Sequence, residues 1–132
     1  MSYAAKTDIE SVFGKDNVAR WSNLDGETGA DATRITTAIA VADEDIENRF
    51  RGGRYAIPFI VASETVKSWC ARLAGIWLFE NRPSYNKAET QKEGFQNMKD
   101  GIDSEIEMYT SGQRLLPCKF AEDVENTGPA VV

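Results

Sequence analysis

The chain has 132 residues, 42% of them hydrophobic and 27% charged, with 21 acids against 15 bases and a net charge of −6. That length suits one domain with one core, and the acidic balance argues against a basic nucleic-acid footprint over the whole chain. The absence of histidine excludes Ser-His-Asp and Cys-His catalysis and HExxH zinc chemistry, and two cysteines alone cannot complete a four-ligand zinc site.

No apolar run approaches the roughly 18 residues that a membrane span needs. The opening Met-Ser-Tyr-Ala-Ala-Lys-Thr-Asp lacks a basic region followed by an apolar one, so no secretory signal is expected. Cys70 sits among apolar residues at helical spacing and Cys118 in a different kind of segment. A disulfide framework is therefore not expected, and a reducing compartment fits better.

In chain order, "KTDIESVFG" (6–14) predicts a short helix. Thr7 is its expected cap, Glu10 completes a capping box, and Gly14 is the stop. "DNVARWSNL" (16–24) adds a second short helix with Val18, Trp21 and Leu24 on its apolar side. "DGETGAD" (25–31) reads as a polar turn.

Residues 31–51 predict the first long helix, capped by Asp31 or Thr33. Ile35, Ile39, Ala42, Ile46 and Phe50 step by three or four. Asp45 with Arg49 and Glu47 with Arg51 form acid-first i,i+4 pairs, each adding about 0.2–0.5 kcal/mol. Gly52 and Gly53 end the helix.

Residues 63–82 predict a central helix contacted on two sides, with Ser63 as cap. Val66, Trp69, Cys70, Leu73, Ile76, Trp77 and Phe79 make a face wider than one stripe. Pro83 stops it. Residues 86–113 predict a third long helix with a narrow stripe of Phe95, Met98, Ile102, Ile106 and Tyr109. Gly94 and Gly101 within it suggest close helix packing or a kink, each costing about 1 kcal/mol relative to alanine.

Residues 114–132 lose the helical period and contain two prolines. They read as an extended tail after a helical domain of residues 1–113. Leu115, Leu116, Phe120 and Val124 are too apolar for a purely solvated tail and are expected to lie on a neighbour. The fold expected is all-α: a small bundle of about three long helices plus one or two short N-terminal ones, with an extended loop at 52–62. Its core is expected to include Ile39, Ile46, Trp69, Leu73, Trp77, Phe95 and Ile102.

Few residues offer chemistry. The acids at 25, 27 and 31 allow a calcium loop, but the EF-hand pattern is absent, and a turn with a helix cap suffices. "ADEDIE" (42–47) reads as a solvated acidic face, although paired carboxylates can do acid–base work where one is desolvated. Cys70 has apolar helical neighbours and reads as a core thiol rather than a nucleophile. "RGGRYAIPF" (51–59) lacks the lysine and glycine spacing of a phosphate loop. It reads as packing or interface, with Arg54 the one side chain there expected to bond an acid in this chain or across an interface.

Three stretches together resemble one family. "YAAKTDIESVFG" resembles the Tyr-Ala-Thr-x-x-Asp-Leu-x-x-x-Phe-Gly opening of the Mu-type tailed-phage head–tail connector family. "LDGETGADATRITTAIAVADEDIE" resembles its Asp-Gly-rich turn feeding a helix with acids near the end. "GGRYAIPF" resembles its Gly-Arg-Tyr-x-x-Pro-Leu element, with Phe59 in place of the leucine. The resemblance spans roughly residues 3–109 and leaves the tail unmatched.

It implies a non-enzymatic, mainly helical structural protein of the virion neck, made in the host cytoplasm. Copies form a ring, commonly twelve-fold, below the portal. The ring extends the DNA channel, lets genomic DNA pass without sequence-specific binding, and docks the next neck or tail-completion protein. No cofactor, metal or membrane is implied. Residues expected to meet the portal or a neighbouring subunit are Arg54, Tyr55, Phe59, Leu115, Leu116, Phe120 and Val124. The competing readings are a small helical regulatory or nucleic-acid-binding module, which needs a basic face, and an enzyme working through the 43–47 carboxylates.

Overall fold

The computed structural model of the protein describes residues 2–23, 30–53, 55, 57–59, 63–81, 90–114 and 116, with the backbone alone at 90–93. Five helices follow in order: α1 (Lys6–Phe13), α2 (Lys15–Ser22), α3 (Ala32–Phe50), α4 (Glu64–Glu80) and α5 (Thr90–Thr110). There is no strand among the described residues, and the class is all-α, as expected.

The start of α1 differs from expectation. Its N-cap is Ala5, and the Asp8 carboxylate accepts the Ala5 N–H at 2.7 Å. Asp8 therefore satisfies an orphan donor of the first turn, which leaves Thr7 and Glu10 inside the helix. The α3 cap is as expected: Asp31 Oδ1 accepts from the Thr33 and Arg34 N–H groups at 3.0 and 3.1 Å. The Asp31 N–H in turn donates to the buried Ser22 hydroxyl at 3.0 Å, which fixes the entry to α3 against the end of α2. Ser63 caps α4 by accepting from the Val66 N–H at 3.3 Å.

Helix α4 is the centre of the bundle. It packs against each of the other four helices, and ten of its 17 residues are buried. Its broad apolar face is the sequence form of that position, because a helix covered on several sides leaves only a narrow strip for charge. The α3 stripe of Ile35, Ile39, Ala42, Ile46 and Phe50 is buried against it. Of the expected core, Ile39, Ile46, Trp69, Leu73 and Ile102 are buried, while Trp77 and Phe95 are half-buried at its margin. The Arg34 guanidinium lies 4.9 Å from the Trp77 ring centre and donates to the Asn81 carbonyl at 3.3 Å, which ties the first turn of α3 to the end of α4.

Helix α1 reaches α4 at one unusually close point. A methyl group added at Gly75 would lie 2.1 Å from Phe13 Cε2. The Phe13 ring sits on the bare α4 backbone there and meets Trp21 and Phe95 edge-on, at 5.5 and 5.6 Å between centroids. Gly94 and Gly101 do the opposite of what their place in α5 suggests. Both are exposed, and no described residue lies within 4 Å of a side chain added at either. They mark neither close packing nor a break in α5; they line open grooves along its flanks.

Gly75→Ala should destabilise the fold by about 1–3 kcal/mol through overpacking. Urea unfolding of the single variants and of Gly75→Ala/Phe13→Ala should show a cost in the double variant well below the sum of the two. A neutral or stabilising Gly75→Ala would remove the close approach.

Candidate functional site

The loop 51–59, the N-terminal residues and the exit of α5 converge on the end of α3, and two tyrosines hold them together. The chain leaves α3 at Phe50 and turns through Gly52, whose φ of 80° lies in the region that glycine alone enters without strain. The loop then buries Tyr55 and Phe59 at 3% and 1% exposure, with Ile57 half-buried and the Ile57–Pro58 peptide cis.

Phe50 is the hub of these side chains. It meets Tyr55 at 5.5 Å and Phe59 at 5.3 Å edge-on, and stacks on Trp69 at 6.0 Å. Tyr3 packs on Phe59 at 5.6 Å, and Tyr109 on Trp69 at 5.4 Å. Each such pair adds about 0.5–1.5 kcal/mol beyond its buried area.

Hydroxyl groups set the register. Tyr3 Oη donates to Glu47 Oε2 at 2.6 Å and accepts the Phe59 N–H at 2.9 Å. Tyr55 Oη accepts the Leu116 N–H at 2.8 Å. The first bond pair joins the N-terminus, α3 and the loop; the second joins the loop to the chain leaving α5. Burial, then the bond to Glu47, pushes the Tyr3 phenol well above the ordinary tyrosine range.

Below this junction, Asp43 Oδ1 accepts the Tyr3 N–H at 3.2 Å and the Cys70 thiol at 3.0 Å. Burial, then the Asp43 carboxylate, pushes the Cys70 thiol far above its ordinary range. Cys70 is therefore a protonated donor and not an activated nucleophile. Cys70 is a core residue, as expected, with a polar partner that its helical neighbours did not reveal.

The 42–47 acids do not form one solvated face. Asp43 is buried, Glu47 bonds Tyr3, and only Glu44 is fully exposed. Asp45 pairs with Arg49 as expected, at 3.2 Å, and Arg49 also reaches Asp103 on α5. Burial works against the Arg49 cation, but the bonds to Asp103 and Asp45 outweigh it and hold its pKa up. The expected Glu47–Arg51 pair does not form: Tyr3 takes Glu47, and Arg51 bonds Asn48 at 3.3 Å.

Of the residues expected at a partner interface, Tyr55, Phe59 and Leu116 lie in the chain's own core. Their apolar surface is used within the molecule, because the tyrosine latches draw all three segments inward. Arg54, Leu115, Phe120 and Val124 lie outside the described residues, as do Asp25 and Glu27 of the acidic turn. Leu116 extends the packed body past the boundary expected at residue 113.

The fold and this junction define a small helical scaffold whose two ends are locked to one loop. The segments locked together carry the tailed-phage resemblance, and the family model described as "Bacteriophage Mu, Gp36" matches residues 3–108. The chain belongs to the bacteriophage Mu Gp36 family. No curated protein matches it.

Tyr3→Phe leaves the Phe59 N–H and Glu47 without their partner and should cost about 1–3 kcal/mol, read by chemical denaturation. Truncation after Gln113 removes Leu116 and should destabilise the fold by a similar amount, whereas truncation after Pro117 should not; equal stability of the two would detach Leu116 from the core.

Tyr3 and Cys70 both have folded-state pKa values raised above their unfolded ones. Their contribution is complete below the unfolded values and is lost as pH rises above them, because only the unfolded chain then releases the proton. Stability should therefore fall from pH of about 8.5 upward, by up to about 1.4 kcal/mol per pH unit for each group. Cys70→Val should remove the part that begins first; an unchanged pH profile in that variant would refute the assignment.

Proposed function

We propose that the protein is a structural component of the virion: a head–tail connector (adaptor) whose copies form a ring, twelve-fold, below the portal. The ring extends the DNA channel and docks the next neck or tail-completion protein. The observation that carries this reading is the match to the phage Mu Gp36 family over residues 3–108. The role asks for side-to-side interfaces and a passive channel, not for a catalytic residue or a cofactor.

Two features of the molecule support it. A net charge of −6 keeps phosphate contacts weak, so genomic DNA passes without binding. The outer face of α3 carries Thr33, Thr36, Thr37, Ala40 and Val41, all exposed and all uncharged. The hydroxyls of Thr36 and Thr37 donate to the carbonyls of Ala32 and Thr33 at 2.9 and 3.0 Å. The methyl groups are then left to face outward, as a flat surface for a neighbouring subunit requires.

Mass measurement and negative-stain imaging of the chain, alone and mixed with a portal ring, test the proposal. Ring assembly on the portal is expected, and Val41→Glu should abolish it while leaving the circular dichroism spectrum intact. A chain that stays monomeric and never associates with portal would sink the connector reading. A shift of duplex DNA at about 0.15 M salt, a concentration that screens surface charge beyond about 8 Å, would favour the nucleic-acid-binding alternative instead.

A further inference from the structure

Two patches of the surface are free of charge in a chain that is 27% charged. One is the outer face of α3, where Thr33, Thr37, Ala40 and Val41 are exposed. The other is a groove of about 410 Å³ lined by Val12 and Phe13 from α1, Asn17 and Trp21 from α2, and Phe95 and Met98 from α5. Gly94 leaves the α5 wall without a side chain, and no described residue lies within 4 Å of the missing group. Val41 and Val12 are two of the three large apolar side chains exposed among the described residues, and each patch holds one.

The patches lie on opposite sides of the molecule. On α4, the Cys70 thiol bonds Asp43 of α3, while Phe79 meets Trp21 and Phe95 of the groove at 5.3 and 4.8 Å. Cys70 and Phe79 are nine positions apart, about two and a half turns at 3.6 residues per turn, so they point in opposite directions. On α3 the same interval separates buried Ile46 from exposed Thr37, which turns the outer face directly away from α4. The patches also share one height. Between Arg34 and Asp43, α3 passes α4 from Asn81 to Cys70, and the groove has Phe13 at Gly75 and Phe95 at Phe79.

The charges beside the patches are of opposite sign. Glu44, one turn after Val41, is fully exposed and has no ion-pair partner among the described residues. Beside the groove, α2 carries Lys15 and Arg20 against one acid, Asp16. Neither base has a carboxylate partner among the described residues, and Arg20 donates to Asn17 on the groove wall.

We propose that the outer face of α3 in one copy seats in the α1–α2–α5 groove of the next copy. Thr37, Ala40 and Val41 lie against Val12 and Phe95, over the bare backbone at Gly94, and Glu44 lies beside the α2 bases. A glycine at that wall lets a helix approach closely, and an interface core depleted of charge is the usual form of a protein–protein contact. Two different patches on opposite sides join copies head to tail, and such contacts close into a ring where the rotation per step permits. The inference rests on the connector reading in one respect, that copies associate, and it names the surfaces through which they do so.

Disulfide trapping tests it. In a Cys118→Ser background, Val12→Cys/Val41→Cys and Val12→Cys/Thr37→Cys are mixed with portal ring, oxidised, and run on a denaturing gel without reductant. A ladder of covalent multimers is expected from these double variants, and each single variant should stay monomeric. Glu44→Arg should raise the concentration needed for assembly at least about tenfold, the scale of a like-charge contact. Glu44→Arg/Lys15→Glu/Arg20→Glu should return it towards the native value.

A covalent dimer from Val41→Cys alone would overturn the proposal, because it assigns the α3 face to a symmetric pair. Assembly on portal without a ladder from either double variant would also overturn it, while leaving the connector reading standing. A chain that never assembles removes both.

Discussion

A single phenol oxygen holds together parts of the chain far apart in sequence. Tyr3 Oη donates to Glu47 on α3 and accepts the Phe59 N–H from the loop before α4. The Phe59 N–H is buried and has no ladder or helix to join, so without an acceptor it carries the full cost of an unmet donor. Glu47 needs a donor in the same half-buried place. Tyr3 meets both demands and brings its own ring onto Phe59. The position of the N-terminus, the path of the loop and the direction in which α4 begins all follow from that geometry. Tyr55 repeats the device at the other end of the chain by accepting the Leu116 N–H. Loop 51–59 is thus a clamp that sets where both ends of the body lie.

Asp43 makes the clamp selective for one arrangement. A buried carboxylate tolerates its site only with donors aimed at it, and two are supplied: the Tyr3 N–H and the Cys70 thiol. Shifting α3 against α4 by one turn would keep Ile and Ala in apolar contact but strand this carboxylate. Apolar stripes of similar volume tolerate such slips, whereas a paired buried charge does not. The polar contact therefore fixes a register that the aliphatic contacts alone leave loosely determined.

The elements were legible because they rest on periodicity. The stripe from Ile35 to Phe50, the wide face of α4 and the caps Asp31 and Ser63 are local patterns, and local patterns can be read without the fold. The junction was not legible, because its bonds join residues 40 to 61 positions apart. One signal was nevertheless available. Asp43 stands four residues after Ile39 and three before Ile46, on the buried stripe itself, so the period that located the core also located a carboxylate inside it. Reading residues 42–47 as a block of acids hid that, since a block has no direction and a helix does. Likewise Tyr55, Phe59 and Leu116 looked like interface residues because they are apolar in segments without a period. Burial within the chain explains that composition as well as burial against a partner does, and only the tyrosine bonds decide between them.

The same distinction between local and non-local signals separates the glycines. Gly94 and Gly101 draw attention because they interrupt a helical pattern, yet no described residue approaches either. Gly75 lies unremarked in an apolar run, yet it is where the Phe13 ring rests on α4 backbone. A glycine in a helix lowers stability wherever it stands, so its presence says only that some other demand outweighs helix propensity there. At Gly75 the demand is internal, the approach of α1. At Gly101 no described residue makes such a demand, and the missing side chain instead opens a groove beside Trp69, Ile102 and Glu105.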